Sequence, residues 1–312
     1  MTRILKRRRS VFARVVGRLR SFLIGDRVLV PRSFIDPMWH LETARRHIVG
    51  GELVVRFDNV DADIALDARS DLAIRALCHG VYEPELLAAV PGLVGAGDAI
   101  NVGANVGLLA IVMRKAMATG TRLLCIEPIE DCVARLTRNL DRAGIGQGVV
   151  IRQAFATDRS TETHEMWTVP GKPEYSSGGR LVHPSVAAAE HISTVVPTIR
   201  LDEAVTAEGL QPTCIVMDCE GGEFSALRGA TKLLSASQPT IVMEFDPILL
   251  EANGETAIAF LRFLADHGYR CLTLDDPSVE ADESFSGTVV AVPTSRVAVV
   301  GNVIRGACSG RS

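Results

Sequence analysis

The chain of 312 residues is long enough for one large domain or two small ones, and with 47% hydrophobic and 5% aromatic residues it has an ordinary globular composition. The formal net charge of −4 disfavours a protein that binds nucleic acid over its whole surface. No apolar run approaches the roughly 20 residues that span a bilayer. Seven cysteines without a C-x-x-C pair favour free thiols in a reducing compartment over a structural zinc site.

The first predicted element is a basic helix over residues 1–25. Eight of the 33 basic residues lie within residues 2–20, which hold no acid, and apolar residues recur between them at helical spacing. Such a helix can lie on an anionic membrane surface or pack its apolar stripe on the domain. Arginines interrupt the apolar part and no cleavage site follows, which disfavours a secretory signal. We expect a cytoplasmic protein, with peripheral membrane contact at the inner face left open.

A segment of mixed helix and strand pattern follows, and we place a domain boundary at residue 70. The extension is then residues 1–70 and the main domain residues 71–305. A strand is predicted at residues 53–57, and the acidic residues after it form a turn without the glycine and closing glutamate of a calcium loop. Residues 71–94 have a helical pattern that is interrupted at residues 80–84.

The most informative stretch is residues 97–108, where an apolar strand leads into a turn of small residues and then into a helical apolar pattern. A strand, a glycine turn and a helix allow backbone N–H groups to approach a ligand closely. The dinucleotide fingerprint has three glycines spaced G-x-G-x-x-G. This turn has two, Gly103 and Gly107, which suits a ligand without a pyrophosphate to cradle.

Strands and helices alternate after this turn, which predicts an α/β fold with parallel strands. The predicted strands are residues 98–102, 121–127, 148–151, 195–199, 214–218, 240–245, 269–274 and 288–292, the last two as an antiparallel pair at one sheet edge. Glycines and prolines in residues 153–194 predict loops. We interpret that stretch as an insertion over the ligand end of the sheet that selects the substrate, with a disordered surface loop as the alternative. The tail from Gly301 is predicted to be loose.

Acidic residues stand at the ends of three predicted strands. Glu127 lies 24 positions after Gly103, close to the spacing at which an acid bonds ribose hydroxyls in nucleotide-binding α/β folds. Asp218, Glu220 and Glu244 end two later strands and could together attract a hard cation, although we predict no metal. Glu223 lies in the first turn of a helix, where the helix dipole favours negative charge.

These motifs resemble those of the FkbM-type family of S-adenosylmethionine-dependent methyltransferases. Residues 101–107 (N-V-G-A-N-V-G) are similar to the family's D-V-G-A-N-x-G turn, with Asn101 in place of the aspartate. Glu127-Pro128 matches the family's E-P, and residues 217–224 (M-D-C-E-G-G-E-F) are similar to its K-x-D-x-E-G-x-E segment. The resemblance covers residues 80–293. It implies a Rossmann-like class I methyltransferase sheet, mostly parallel with an antiparallel edge strand.

The resemblance also implies S-adenosylmethionine as the cofactor. The residues it assigns to cofactor binding are Tyr82, Glu83, Asn101, Gly103, Ala104, Asn105, Gly107, Glu127 and Asp218. Tyr82 and Glu83 belong to a Tyr-Glu-Pro segment that the family often carries before its first core strand. A helix cap beside a packed tyrosine is the alternative for this pair.

A sulfonium methyl group is already activated, so a methyltransferase has mainly to align a nucleophile with it. A general base near the attacking hydroxyl typically adds about 10²–10⁴-fold. Asp218 and Glu220 are the first candidates, and His164, His183 and His191 of the insertion are alternatives. We expect O-methylation of a hydroxyl on a sugar or a small natural product, with no nucleic-acid partner and the oligomeric state left open.

Two other functions stay open at this point. An NAD(P)-dependent oxidoreductase would need a third glycine and residues that handle a hydride. A non-catalytic Rossmann-like scaffold is compatible with Asn101 and the basic N-terminus. The patterns G-x-S-x-G and G-x-x-x-x-G-K-[ST] are absent, which disfavours an α/β-hydrolase and a P-loop NTPase.

Overall fold

The computed structural model describes residues 51–309, except residues 96, 161, 170–171 and 179–189, together with the backbone of residues 23–24 and 27–29. These residues form two compact units, one up to Tyr82 and one from Glu83 onwards. The basic helix expected at residues 1–25 lies outside the described residues, except for Leu23–Ile24, which form a short strand. Within the described part, no helix is long and apolar enough to cross a membrane.

The first unit is a four-stranded sheet with one helix. Its elements are β1 (Leu23–Ile24), β2 (Arg27–Leu29), β3 (Glu52–Phe57), β4 (Ala62–Asp67) and α1 (Asp71–Cys78), and the strand order is β1-β2-β3-β4. In the acidic turn between β3 and β4, Arg56 forms ion pairs with Asp61 and Asp63. This pairing supports a solvated turn there. Helix α1 packs on β3 and β4, so it belongs to the first unit, beyond the boundary expected at residue 70.

The second unit contains a seven-stranded sheet in the order β14-β15-β13-β12-β5-β6-β7 and a smaller sheet in the order β10-β9-β11-β8. Its strands are β5 (Asp98–Val102), β6 (Leu123–Ile126), β7 (Val149–Arg152), β8 (Phe155–Ala156), β9 (Thr163–Val169), β10 (Lys172–Ser177), β11 (Ile192–Ile199), β12 (Pro212–Met217), β13 (Thr240–Phe245), β14 (Tyr269–Thr273) and β15 (Gly287–Pro293).

The large sheet confirms the predicted α/β fold. Strands β5, β6, β7, β12 and β13 are parallel, and β15 pairs antiparallel with both β13 and β14. The predicted antiparallel pair therefore occupies one edge, with the antiparallel strand β15 lying one position in from it. The strand order reverses at β5, since β6 follows on one side and β12 on the other. Ligands of open α/β sheets bind at such a point.

Helices cover the large sheet, and this cover accounts for the apolar sequences of its strands. They are α2 (Pro84–Leu93), α3 (Leu108–Ala116), α4 (Glu130–Arg142), α5 (Leu201–Glu208), α6 (Glu223–Arg228), α7 (Thr231–Ala236), α8 (Pro247–Ala252), α9 (Ala257–Asp266) and α10 (Val297–Ser309), with a 3₁₀ turn at Thr294–Arg296. A parallel strand that is covered on both faces has an almost continuous apolar sequence, and all four residues of β6 are buried. Phe224 stacks on Phe260 at 4.9 Å between ring centroids in the core.

Residues 223–236 form two short helices, α6 and α7, that are separated at Gly229. A Cβ atom at Gly229 would lie 2.2 Å from the carbonyl oxygen of Thr157, so the backbone there needs glycine. Helix α7 begins just beyond, and the carboxylate of Asp202 accepts hydrogen bonds from the N–H groups of Lys232 and Leu233 at 3.1 and 2.9 Å. Asp202 on α5 thus caps the N-terminus of a different helix.

The smaller sheet occupies much of the stretch that was predicted to be loops, so that prediction is wrong for β8, β9, β10 and the first three residues of β11, whose last five residues were predicted as a strand. The strands β9 and β11 pair antiparallel from Thr168 opposite Ile192 to Thr163 opposite Pro197. Partners this far apart in sequence leave no local signal, and the glycines and prolines between them dominate the pattern. Pairing between distant segments therefore decides the structure here, against the local turn signals.

The predicted loose tail is also wrong as far as Ser309. Helix α10 runs from Val297 to Ser309, and Ile304 on it is fully buried. It packs on α2, where Gly92 allows close approach, since a Cβ atom at Gly92 would lie 2.6 Å from a methyl group of Val303.

Candidate active site

A pocket opens at the carboxyl ends of β5, β6 and β12, where the strand order of the large sheet reverses. The space between its lining residues amounts to about 620 Å³, with the open solvent at its mouth included. The turns after the large-sheet strands supply Gly103, Asn105, Glu127, Asp218 and Glu220 to its lining. The segment from β8 to the end of β10 supplies Phe155, Met166, Ser176 and Gly178. The described part of the insertion predicted at residues 153–194 therefore does form a wall of this pocket.

The glycine turn after β5 is built against the turn after β12. Gly103 has a φ of +73°, and a Cβ atom there would lie 1.8 Å from the carbonyl oxygen of Asp218. The N–H of Asp218 donates to the carbonyl of Val102 at 3.1 Å, and the N–H of Gly103 donates to the carbonyl of Ile126 at 2.9 Å. Close packing of backbone on backbone thus accounts for the glycine at position 103, independently of any ligand.

Asn105 completes this turn in the left-handed region, with a φ of +48°. Asparagine tolerates this conformation better than most residues because its side chain bonds locally. Its Oδ1 accepts from the N–H of Val106 at 2.8 Å, and its own N–H donates to Glu127 Oε2 at 2.8 Å. Gly107 follows at the start of α3, where a Cβ atom would lie 2.7 Å from a methyl group of Leu136. The second glycine therefore serves the packing of α3 on α4.

Glu127 stands at the end of β6 and is only 4% exposed. Its two oxygens accept the N–H groups of Asn105 and Ile129 at 2.8 and 2.9 Å, so its carboxylate ties the first two strand ends together. Burial raises the pKa of Glu127 to about 7; these two hydrogen bonds oppose the rise, and the charge of Asp218 adds to it. A carboxylate has about four acceptor positions, so two are left for hydroxyl groups in the pocket.

The turn after β12 carries the second group of acids. Glu220 and Gly221 both have positive φ values, of +51° and +91°. A glutamate in this region is strained, and such strain concentrates at functional sites. Glu223 stabilises the turn from its far side, because its buried carboxylate accepts the N–H of Cys219 at 2.6 Å. Glu223 thus does more than complement a helix dipole.

Five carboxyl groups gather here, and we name Glu127, Asp218, Glu220, Glu223 and Glu244 the acidic cluster. Desolvation is the main cause of a raised pKa in all five, with the charges of other acids adding to it in all but Asp218. The pKa of Glu220 rises to about 7, and those of Glu223 and Glu244 rise to about 8. Among the ion pairs of the described residues, none joins a member of the cluster to a lysine or arginine.

The cluster has no arrangement typical of a metal site. Within the part of the chain that the structure describes, no three His, Cys, Asp or Glu side chains are placed to hold a metal ion together. Asp218 and Glu220 both line the pocket, as their position at a strand end predicted. Glu244 is exposed and is not one of the lining residues.

The histidines predicted as alternative bases differ in their surroundings. The His164 ring stacks on Phe155 with 4.1 Å between centroids and 4° between planes, and its Nε2 lies 2.5 Å from the carbonyl oxygen of Gly178. It therefore supports the pocket wall from behind. His191 contacts the edge of Trp167, and His183 lies outside the described residues.

Four residues assigned to the cofactor by resemblance have other surroundings. Asn101 is fully buried in β5, where its Nδ2 donates to the carbonyl of Val216 at 3.3 Å and its Oδ1 has no partner among the described residues. Ala104 is buried and its N–H donates to the carbonyl of Ile126 at 3.1 Å. Glu83 precedes α2 with a φ of +33°, and its charge contributes to the raised pKa values of Glu220 and Glu244.

Tyr82, the fourth, belongs to the first unit. There its ring packs edge-on against Phe57 at 6.1 Å, and its N–H donates to Asn59 Oδ1 at 3.0 Å. These contacts describe the packed tyrosine that was the alternative to a cofactor role.

Sequence reasoning did not find several residues of the pocket. Phe155 and Cys132 could have been suspected, because the first follows the third parallel strand and the second lies one turn into the helix after Glu127. Met166 and Ser176 carry no such signal, since they reach the pocket through the pairing of β9 with β10 and β11.

Comparison with models of known protein families identifies the family of this chain. Residues 101–271, more than half of the chain, match the family model of the methyltransferase FkbM domain. The chain belongs to the FkbM methyltransferase family. Its members use S-adenosylmethionine as the methyl donor. The matched region contains the glycine turn, Glu127 and the whole acidic turn after β12.

Solved structures of methyltransferases align with parts of the chain at low sequence identity. An O-methyltransferase from Bacillus cereus in complex with SAH has 15% identity and a TM-score of 0.38, covering 67% of this chain and 78% of that one. Methyltransferase FkbM from Methylobacillus flagellatus KT has 16% identity and a TM-score of 0.39, covering 81% and 57%. O-methyltransferase TomG from Streptomyces achromogenes has 13% identity and a TM-score of 0.39, covering 68% and 79%. No curated protein matches the sequence.

The residues of the pocket fit the cofactor of an FkbM methyltransferase. Glu127 has free acceptor positions for ribose hydroxyls, and the turn at Gly103 leaves its backbone open to the pocket. Carboxylates that pair with no basic side chain of the described residues suit a ligand with a sulfonium and an ammonium group. The Oδ1 atom of Asn101 in β5 is a further polar atom near this end of the sheet, and it is buried without a hydrogen-bond partner among the described residues.

Proposed function

We propose that the protein is an O-methyltransferase that acts on a hydroxyl group of a sugar or a small natural product. The observation that carries the proposal is the convergence of Gly103, Glu127, Asp218 and Glu220 in one pocket at the point where the strand order reverses. Membership of a methyltransferase family decides against the oxidoreductase alternative.

Each pocket residue has a distinct part in this proposal. Glu127 holds the adenosine ribose through its free acceptor positions, while its bonds to Asn105 and Ile129 fix its orientation. The turns at Gly103 and Asp218 hold the amino-acid end of the cofactor. S-adenosylmethionine, when bound, supplies an electrophilic methyl group. What this chain has to add is the placement of the acceptor hydroxyl and the removal of its proton.

Glu220 is the better placed of the two candidate bases. A general base works best when its pKa lies near the working pH, and burial together with the neighbouring carboxylates raises the pKa of Glu220 to about 7. It is partly exposed to the pocket and accepts no hydrogen bond from the described residues that would hold it in the ionised form. The backbone of Asp218 lies against Gly103. In this proposal Asp218 therefore faces the cofactor and orients it.

Calorimetry with S-adenosylmethionine and S-adenosylhomocysteine tests the first part of the proposal. We expect one site per chain for each ligand, and we expect Glu127→Gln to weaken both by roughly tenfold or more, because the free oxygen of a glutamine cannot serve both N–H groups and a ribose. Glu251→Gln, at an exposed acid on α8, is the matched control and should bind normally. Absence of binding to the parent protein would refute the proposed function.

A screen of hydroxylated acceptors with labelled S-adenosylmethionine tests the second part. With an acceptor found, Glu220→Gln should lower kcat by about 10²–10⁴-fold while leaving cofactor binding measurable. The low-pH limb of the rate profile, set by ionisation of Glu220, should disappear in this variant. An unchanged kcat with the same pH profile would remove Glu220 from the role of base and leave Asp218, tested as Asp218→Asn, in its place.

A further inference from the structure

The acidic cluster contains more negative charge than the basic side chains of the described residues compensate. Glu127, Asp218 and Glu220 line the pocket, and Glu223 and Glu244 act on them electrostatically from α6 and β13. Arginines of the same unit pair elsewhere: Arg152 with Glu208, and Arg228 with Asp158 and Glu255. None of the five acids forms an ion pair with a basic side chain within the described residues. The pocket therefore favours a ligand that brings positive charge with it.

The two forms of the cofactor differ in charge at the reacting sulfur. S-adenosylmethionine carries a sulfonium with one positive charge, and S-adenosylhomocysteine carries a neutral thioether. Their adenosine and amino-acid parts are the same. We infer, on the basis of the proposed function, that the acidic cluster distinguishes the two by this charge, so that the methyl donor is held and the spent cofactor is released.

The strength of this discrimination depends on how many members of the cluster are ionised. Each carboxylate within a few ångströms of a cation attracts it more strongly in a partly buried pocket than in water, because the effective dielectric constant is lower. Protonation removes that attraction. Since the pKa values of Glu127 and Glu220 rise to about 7 and those of Glu223 and Glu244 to about 8, the cluster gains charge as the pH rises through neutrality.

Other ionisable groups face the same place and reinforce this trend. The negative charge of Glu83, before α2, raises the pKa values of Glu220 and Glu244, and that of Asp246, after β13, raises the pKa of Glu244. The thiol of Cys219 has its pKa raised well above the usual value by burial and by the neighbouring acids, so it stays neutral. The charged groups that act on the cluster within the described residues are all acidic, so the preference for a cationic ligand grows with pH.

The test is the ratio of the dissociation constants of S-adenosylhomocysteine and S-adenosylmethionine, measured by calorimetry between about pH 6 and about pH 9. We expect this ratio to rise by roughly tenfold over that range in the parent protein. Sinefungin, which carries an amine in place of the methylated sulfonium, should follow S-adenosylmethionine. Taking a ratio cancels changes that affect both ligands equally.

Two variants make the test specific. Glu220→Gln removes one charge from the pocket lining, and Glu244→Gln removes one from β13, outside that lining. Each should reduce the rise of the ratio with pH by several-fold, while Glu251→Gln should leave it unchanged. A ratio that does not vary with pH, or that is the same in both variants as in the parent protein, would overturn the inference even though both ligands bind. If neither ligand binds, the proposed function itself has failed.

Discussion

The residue Gly103 is held in place by the chain itself. A Cβ atom there would lie 1.8 Å from the carbonyl oxygen of Asp218, and no rotation of a side chain can relieve a contact with backbone. Loss of cofactor binding in a Gly103 variant would therefore report disturbed packing of two turns as much as a missing ligand contact. Glycine motifs of this kind have a structural reason before they have a functional one.

We expect Gly103→Ala to destabilise the protein by at least about 2 kcal/mol, from overpacking and a positive φ together. Gly120→Ala is the matched control, because Gly120 also has a positive φ, of +88°, but a Cβ atom there would meet no atom of the described part of the chain within 4 Å. It should cost only the backbone strain, about 1 kcal/mol. Denaturant unfolding of both variants measures the difference. Equal losses would show that the contact with Asp218 is unimportant.

At this scale the sequence predicts some residues well and others poorly. Glu127 and Gly103 are predictable because parallel strands end at one edge, which brings their carboxyl ends together whatever the details of packing. The left-handed conformations of Asn105 and Glu220 and the bond from Cys219 to Glu223 depend on how two turns meet. No spacing in the sequence encodes such a meeting.

At the scale of elements, helices α2 and α10 show how packing overrides a local pattern. The C-terminal segment contains Gly301 and Gly306, which suggest a loose tail, yet it forms a helix of 13 residues. The buried Ile304 and the close approach of Val303 to Gly92 supply the tertiary contact that a marginal helix needs. The same reasoning explains β9 and β11, which are specified by each other.

The contact between α2 and α10 gives two predictions, one of lost stability and one of gained stability. Gly92→Leu should destabilise the protein by about 1–3 kcal/mol, because the new side chain meets Val303 across the helix contact. Gly306→Ala should stabilise it by about 0.5–1 kcal/mol, because no described atom lies within 4 Å of its Cβ position and alanine favours the helix. Thermal unfolding of both variants decides. A stable Gly92→Leu protein would mean that α10 does not pack on α2 in solution.

At the scale of the whole molecule, the acidic cluster links stability to pH. The carboxyl groups of Glu127, Glu223 and Glu244 have pKa values of about 7 to 8 in the folded protein, against 4.5 for an ordinary glutamate. Between about pH 4.5 and about pH 8, the folded state therefore binds more protons than the unfolded state. The stability that these groups contribute is complete below about pH 4.5 and is lost as the pH rises through about 8.

We expect the ligand-free protein to melt a few degrees lower at about pH 9 than at about pH 6. Scanning calorimetry without ligand measures this directly. Glu244→Gln should reduce the difference, since one titrating carboxyl is gone, and Glu251→Gln should not. A ligand-free protein that is more stable at the higher pH would contradict the assignment of raised pKa values to the cluster.

The division of the pocket between two separate sheets has a practical consequence for enzyme engineering. The turns at Gly103 and Asp218 interlock and leave a mutant library little freedom. Met166 and Ser176 reach the pocket from the smaller sheet, which shares no strand with the larger one. On the proposed function, we expect changes at these two positions to alter the range of acceptors without changing the interlocked turns.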